Sequence, residues 1–188
     1  MKDDIKRWIE QNGEKFLEKV GIKKGQTVLD FGSGEGNYTI PASKLVGSHA
    51  KVYALDKDKK VLNKLKMKLK EKHITNVELI NEETKIPLDK GRVDAVLCYD
   101  VMHLVGKNDS STTKDRTKLY RTIKKIVKQN ALFSVYPTHL VEQTDIASNQ
   151  DIRQEIERVG FKFEREIHAE LIHDDNKVKG CVLNFRNC

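Results

Sequence analysis

The sequence predicts an α/β domain: a doubly wound, mostly parallel sheet of seven strands with one antiparallel strand near the C-terminus. Three observations lead there. Short apolar runs alternate with amphipathic helical segments, the pattern of a parallel sheet covered on both faces. A glycine-rich turn follows the first of those runs. The last two strand-like runs are joined only by the polar turn His173-Asp174-Asp175-Asn176, too short for a helical crossover, so they pair antiparallel.

Each element has its own signal. Residues 3–20 carry Ile5, Trp8, Ile9, Phe16, Leu17 and Val20 on one helical face, with Asn12-Gly13 as a break point. Strands are expected at 27–31, 51–55, 77–80, 93–98 and 131–136, the fourth being the most apolar. Helices are expected at 37–46, 58–72, 115–128 and 149–159, the last stopped by Gly160. Strands at 161–168 and 179–185 close the chain. The length of 188 residues fits one domain, 1–188, with the helix at 1–20 and the polar loop 106–114 as candidate lids.

Composition excludes several classes. A charged share of 34% beside 38% hydrophobic residues describes a folded, water-facing chain. No apolar run reaches the ~18–20 residues of a membrane span, and Met1 to Arg7 lacks the apolar core of a signal peptide. The expected location is the cytoplasm. Cys98, Cys181 and Cys188 are scattered, with neither a disulfide framework nor a CxxC metal spacing, so no metal is expected. Most of the net charge of +7 lies in residues 57–72, where eight lysines stand against Asp58 and Glu71. With Val61, Leu62, Leu65 and Leu69 inward, that segment reads as a solvated helix face. The alternative is a polyanion footprint, weakened by the absence of arginine and aromatic residues.

The chemistry belongs at the carboxyl ends of the strands, where open α/β sheets bind ligands. The segment Val28-Leu29-Asp30-Phe31-Gly32-Ser33-Gly34-Glu35-Gly36-Asn37 has glycines at alternate positions, ahead of a helix with free N–H groups. A dinucleotide loop would read GxGxxG and seat a pyrophosphate. Here the spacing is GxGxG, and Asp30 and Glu35 suit a cationic amino-acid ligand better. Asp56 ends the second strand, 20 residues beyond Gly36, where a carboxylate can accept both ribose hydroxyls. It could instead cap the helix that follows.

These residues resemble a class I S-adenosylmethionine-dependent methyltransferase of the methyltransferase type 11 or UbiE-like group. The resemblance rests on VLDFGSGEGNYT, VYALD, VDAVLCYDVMHL and IERVGFKF, and covers roughly residues 20–186. It implies a Rossmann-like fold with S-adenosyl-L-methionine as cofactor. Asp30, Gly32, Ser33, Gly34, Gly36 and Asn37 would surround its methionine part, and Asp56 with Lys57 its ribose. Glu82 or Glu83, with Thr84, would meet the adenine, Glu83 being favoured. Cys98 and Tyr99 would line the methionine side. The chain departs from the family in having Lys128-Gln129-Asn130-Ala131 where a Lys-Pro-Gly-Gly-like turn is common, and in lacking an inserted substrate subdomain.

Methyl transfer is an in-line displacement with a neutral leaving group, so positioning carries much of the work. A base is needed only if the acceptor loses a proton. Asp100 and His103, after the fourth strand, are the catalytic candidates, with His139 behind them. The element Cys98-Tyr99-Asp100-Val101 is not the Asn/Asp-Pro-Pro-Tyr type of nucleic-acid amino methyltransferases. A small-molecule acceptor is therefore the expected partner. An RNA or protein methyltransferase using the lysine face, a dinucleotide oxidoreductase and a non-catalytic cofactor-binding module are the alternatives.

Overall fold

The computed structural model describes residues 3–106, 111–146 and 148–188. The chain opens with α1 (Asp3–Arg7), a π-helical turn (Trp8–Asn12) and α2 (Gly13–Val20). There follow β1 (Val28–Phe31), α3 (Thr39–Val46), β2 (Val52–Asp56), α4 (Lys59–Glu71), β3 (Val77–Asn81) and β4 (Val93–Tyr99). After a 3₁₀ turn (Met102–Leu104) come α5 (Thr113–Ile126), β5 (Val127–Tyr136), α6 (Leu140–Gln143) and α7 (Asn149–Arg158). The chain ends with β6 (Phe161–His173) and β7 (Asn176–Asn187).

The seven strands form one sheet in the order β3-β2-β1-β4-β5-β7-β6. The pairs β3–β2, β2–β1, β1–β4 and β4–β5 are parallel, and β7 runs antiparallel to both β5 and β6. The expected architecture, one antiparallel strand included, is the one observed. Strand order reverses between β1 and β4, which sets a crevice over their carboxyl ends.

Pleating sends alternate side chains to two separate cores. Leu29, Phe31, Leu55, Val96 and Cys98 face α5 and α7, while Val28, Val52, Ala54, Leu97 and Tyr99 face α1–α4. Trp8 is only 2% exposed and donates its indole N–H to the Asn37 carbonyl at 2.9 Å. It stacks edge-on against Tyr38, 5.5 Å between ring centres. Trp8 therefore anchors the N-terminal helices to the chain just after the glycine loop.

Three boundaries differ from expectation for physical reasons. The stretch at 8–12 continues the helix as a π turn rather than breaking at Asn12-Gly13, with Gly13 packed against the Pro41 ring. Strand β5 starts at Val127, because a bulge opposite Asp94 absorbs residues between Val127 and Leu132. There Asn130, at φ 59°, adopts the left-handed conformation for which a glycine is the usual choice. Strands β6 and β7 extend to a two-residue turn, Asp174-Asp175, with both φ values positive (46° and 60°), the geometry that suits strand twist. That extension carries His173 to the same end of the sheet as the glycine loop. No helix among the described residues is long and apolar enough to cross a membrane.

Candidate active site

The glycine loop is held by backbone before any ligand is considered. Gly32 and Ser33 both donate to the Leu55 carbonyl, at 2.8 and 2.9 Å, tying the loop to the end of β2. Gly36 donates to the Ser33 carbonyl at 3.0 Å, closing the turn. A side chain at Gly32 would strike Val101, so glycine there lets β1 and the end of β4 approach. At Gly34, φ is 51° and a Cβ would meet nothing within 4 Å, so its backbone borders open space.

Asp56 is fixed in the same frame. One oxygen accepts from the Gly34 amide at 2.8 Å, the other from the Asp58 amide at 2.9 Å. Helix α4 is capped by Asp58, which accepts from the Lys60 amide, so Asp56 is not its cap. Asp30, level with Ala54 on the α1–α4 side of the sheet, is 2% exposed and accepts from the Thr39 hydroxyl at 2.6 Å. Burial pushes its carboxyl from 3.8 up to about 7, partly offset by that hydroxyl and reinforced by the nearby Asp56.

A cleft of about 230 Å³ opens above these groups, at the reversal point of the sheet. Gly32, Asp56, Lys57, Glu83, Thr84 and Asp100 are the expected residues that line it. Phe31, Leu55, Val101, Leu104 and Val105 supply its apolar wall. Glu83 and Thr84 also line an adjoining cleft toward α5, whereas Glu82 lines neither.

Other expected site residues lie elsewhere. Cys98 and Tyr99 do not line the cleft, because the pleat buries one in each core. The Tyr99 hydroxyl meets Ser134 Oγ at 2.8 Å. Glu35, read as a partner for a cationic ligand, instead bridges Lys64 at 2.6 Å and Lys68 at 2.9 Å on α4. These lysines hold its carboxyl below the usual range. The pairing also neutralises part of the lysine face. Ser33 is buried, and its Oγ has no hydrogen-bond partner among the described residues. Asn37 offers its carbonyl to Trp8, and none of residues 3–20 lines the cleft. Of the expected lid loop, residues 107–110 lie outside the described residues.

Asp100 begins the turn after β4 at φ 54°. Burial raises its carboxyl, against the pull of His173 and His139. His103 is buried beside it, its Nδ1 3.7 Å from Asp100 Oδ1. His173 Nδ1 lies 2.7 Å from Asp100 Oδ2. Sequence reading treated His173 only as part of a turn. Its signal was the apolar pair Leu171-Ile172 just before the turn, which extends the strand to His173.

The donor set fits S-adenosylmethionine. A carboxylate with both oxygens oriented by amides ends β2, open space borders the Gly34 backbone, and an exposed acid lines the cleft at Glu83. A family model described as a methyltransferase domain matches residues 22–179. The chain is similar to a probable cobalt-precorrin-6B C(15)-methyltransferase (decarboxylating) of Saccharolobus solfataricus, 40% identical over 81 residues. That match covers 43% of this chain and 37% of the relative. It is also similar to a demethylmenaquinone methyltransferase of Geobacillus sp., 32% identical over 84 residues, 44% of this chain and 36% of that one. The chain thus spans well under half the length of these curated relatives. Among solved structures, a SAM-dependent methyltransferase from Aquifex aeolicus superposes with a TM-score of 0.76 at 26% identity, covering 97% of this chain and 93% of the other.

Proposed function

The chain belongs to the methyltransferase-domain family, in the class I S-adenosylmethionine-dependent group, and on that premise we propose that it moves a methyl group from S-adenosylmethionine to a small-molecule acceptor. The observation that carries the reading is the cleft in which Gly32, Asp56, Glu83 and Asp100 meet at the reversal point of the sheet. The bound cofactor supplies a sulfonium methyl open to in-line attack. The chain supplies position. Asp56, pre-oriented by the Gly34 and Asp58 amides, would accept the ribose hydroxyls. Glu83 and Thr84 border the adenine side, and Lys57 stands beside Asp56 on the rim. Asp30 acts through Thr39, pinning the start of α3 beneath the loop.

Acceptors would enter past Asp100, the polar side chain on the β4 wall, with buried His103 as its positioning neighbour. The names of the precorrin and menaquinone relatives support a small-molecule acceptor. The apolar wall of Phe31, Val101, Leu104 and Val105 supports one with an unsaturated or apolar body.

Isothermal titration with S-adenosylhomocysteine tests the reading. Binding of the native chain is expected, with Asp56→Ala weakening it at least about tenfold through the lost charged hydrogen bonds. Absence of binding at millimolar ligand ends the proposal; an unchanged affinity in Asp56→Ala removes Asp56 from the site.

A further inference from the structure

Three strands converge on a histidine cluster that methyl transfer does not require. His139 follows β5, His173 ends β6, and Asp100 follows β4. Each offers one donor atom, and the three donors lie within 4.8 Å of one another. The histidines are 34 residues apart in sequence, so no linear spacing announces them.

The proton inventory of the pair is the telling point. An imidazole nitrogen 2.7 Å from a carboxylate oxygen carries its hydrogen there, since otherwise two lone pairs would meet. His173 Nδ1 is at that distance from Asp100 Oδ2, but it is buried and makes no hydrogen bond of good geometry to any described residue. His139 Nδ1 faces Glu142 Oε2 at 3.2 Å. With a hydrogen on each Nδ1, the side nearer a carboxylate, both Nε2 atoms present lone pairs. Yet the two Nε2 atoms face each other at 3.1 Å. Such a pair asks for a positive centre between them.

We propose that His139 and His173, through Nε2, with Asp100 beside them, form a binding site for a divalent first-row transition ion such as Zn²⁺. Two nitrogens bound at about 2.0–2.1 Å in a tetrahedral shell stand about 3.3 Å apart, close to the observed separation. The outer carboxylates at both Nδ1 atoms are the usual support for metal-bound imidazole. A further oxygen is at hand, since Asp174 Oδ2 lies 3.5 Å from His173 Nε2. Asp100 Oδ1 is buried with no hydrogen-bond partner among the described residues. An all-nitrogen and oxygen donor set without thiolate suits zinc and its neighbours rather than copper(I). Because Asp100 also lines the cleft, an ion here would favour acceptors that present an oxygen donor. That consequence alone rests on the methyl-transfer reading.

The full chain, freed of metal with EDTA, is titrated with Zn²⁺ by calorimetry. One ion per chain is expected. His139→Gln and His173→Gln should each lower the affinity at least about 100-fold, and Asp100→Asn about 10–100-fold. His168→Gln, in the exposed Glu166–His168–Cys181 group, should leave it unchanged. Circular dichroism checks that the variants fold. Independently of any variant, the Cu²⁺-loaded native chain should show coupling to two imidazole nitrogens in its electron paramagnetic resonance spectrum. No stoichiometric Zn²⁺ binding, binding indifferent to both histidine changes, or a copper spectrum without two nitrogens would each overturn the site and leave a proton shared between the rings. Binding of S-adenosylhomocysteine in EDTA is read separately, so the two proposals fail independently.

Discussion

Asp30 shows how one side chain ties the loop to stability. It lies in a core rather than in the cleft, and burial raises its carboxyl to about 7. The unfolded chain releases that proton near 3.8. Between those values the folded form binds the proton more tightly, so the contribution of Asp30 to stability is full below about pH 4 and declines as pH rises toward 7. Asp30→Asn removes the ionisation and keeps an acceptor for Thr39. At pH 8 the melting temperature should rise by about 2–6 °C, and near pH 4 it should not change. Calorimetric scans at the two pH values check this; an equal effect at both would mean the carboxyl is not buried as described. Glu35 teaches the opposite lesson. Its place in the loop suggested a ligand, but two lysines one helical turn apart on α4 claim it.

Among the elements, α5 depends on a buried cation that the sequence did not flag. Arg116 is fully buried and grips Glu155 of α7 with two bonds, at 2.9 and 2.8 Å. It also donates to Asp145 at 2.8 Å and to Ser111 at 3.2 Å. Arg116 and Thr113 together hold the Asp145 carboxyl down at about 2. The network joins α5, α7 and the segment between α6 and α7 on one face of the sheet. Arg116→Met strands Glu155, only 5% exposed, as a buried charge. Urea unfolding should show a loss of about 3–5 kcal/mol, largely recovered when Glu155→Leu is added. If the double variant is no better than the single, the pair is not the source. The helix was legible from its apolar spacing, and the structure adds a Thr112–Asp115 capping box at its start. The arginine was not, because a basic residue on an amphipathic helix reads as surface until a partner acid is brought to it.

At the scale of the whole molecule, the cleft joins segments from four strands, so ligand binding should stabilise the entire fold. S-adenosylhomocysteine at 100 times its Kd adds about 2.7 kcal/mol, or about 5–10 °C in melting temperature for a chain of this size. NAD(H) should produce no shift, since the loop has GxGxG spacing rather than the GxGxxG of a dinucleotide loop. A shift with NAD(H) alone would revive the dinucleotide reading. The lysine face belongs to this scale as well. With Lys64 and Lys68 engaged by Glu35, a generic RNA should bind weakly and lose what affinity it has between about 50 and 200 mM salt. Tight binding that falls steeply over that salt range in a filter assay would favour a macromolecular acceptor on the lysine face.

The sequence by itself determined the alternation of strands and helices, one antiparallel strand near the C-terminus and the strand-end positions of Gly32, Asp56 and Asp100, leaving Glu82 and Glu83 both open. Those signals are local: hydrophobic period, turn chemistry and the residue that ends each strand. Only the tertiary structure decided which of them share a cleft. It moved Cys98 and Tyr99 into separate cores, because pleat direction depends on which layer covers each face. It gave Glu35 to α4, Arg116 to Glu155, and His173 to Asp100 and His139. Each of those partnerships spans 29 or more residues, and no local pattern records a contact made by folding distant parts of the chain together.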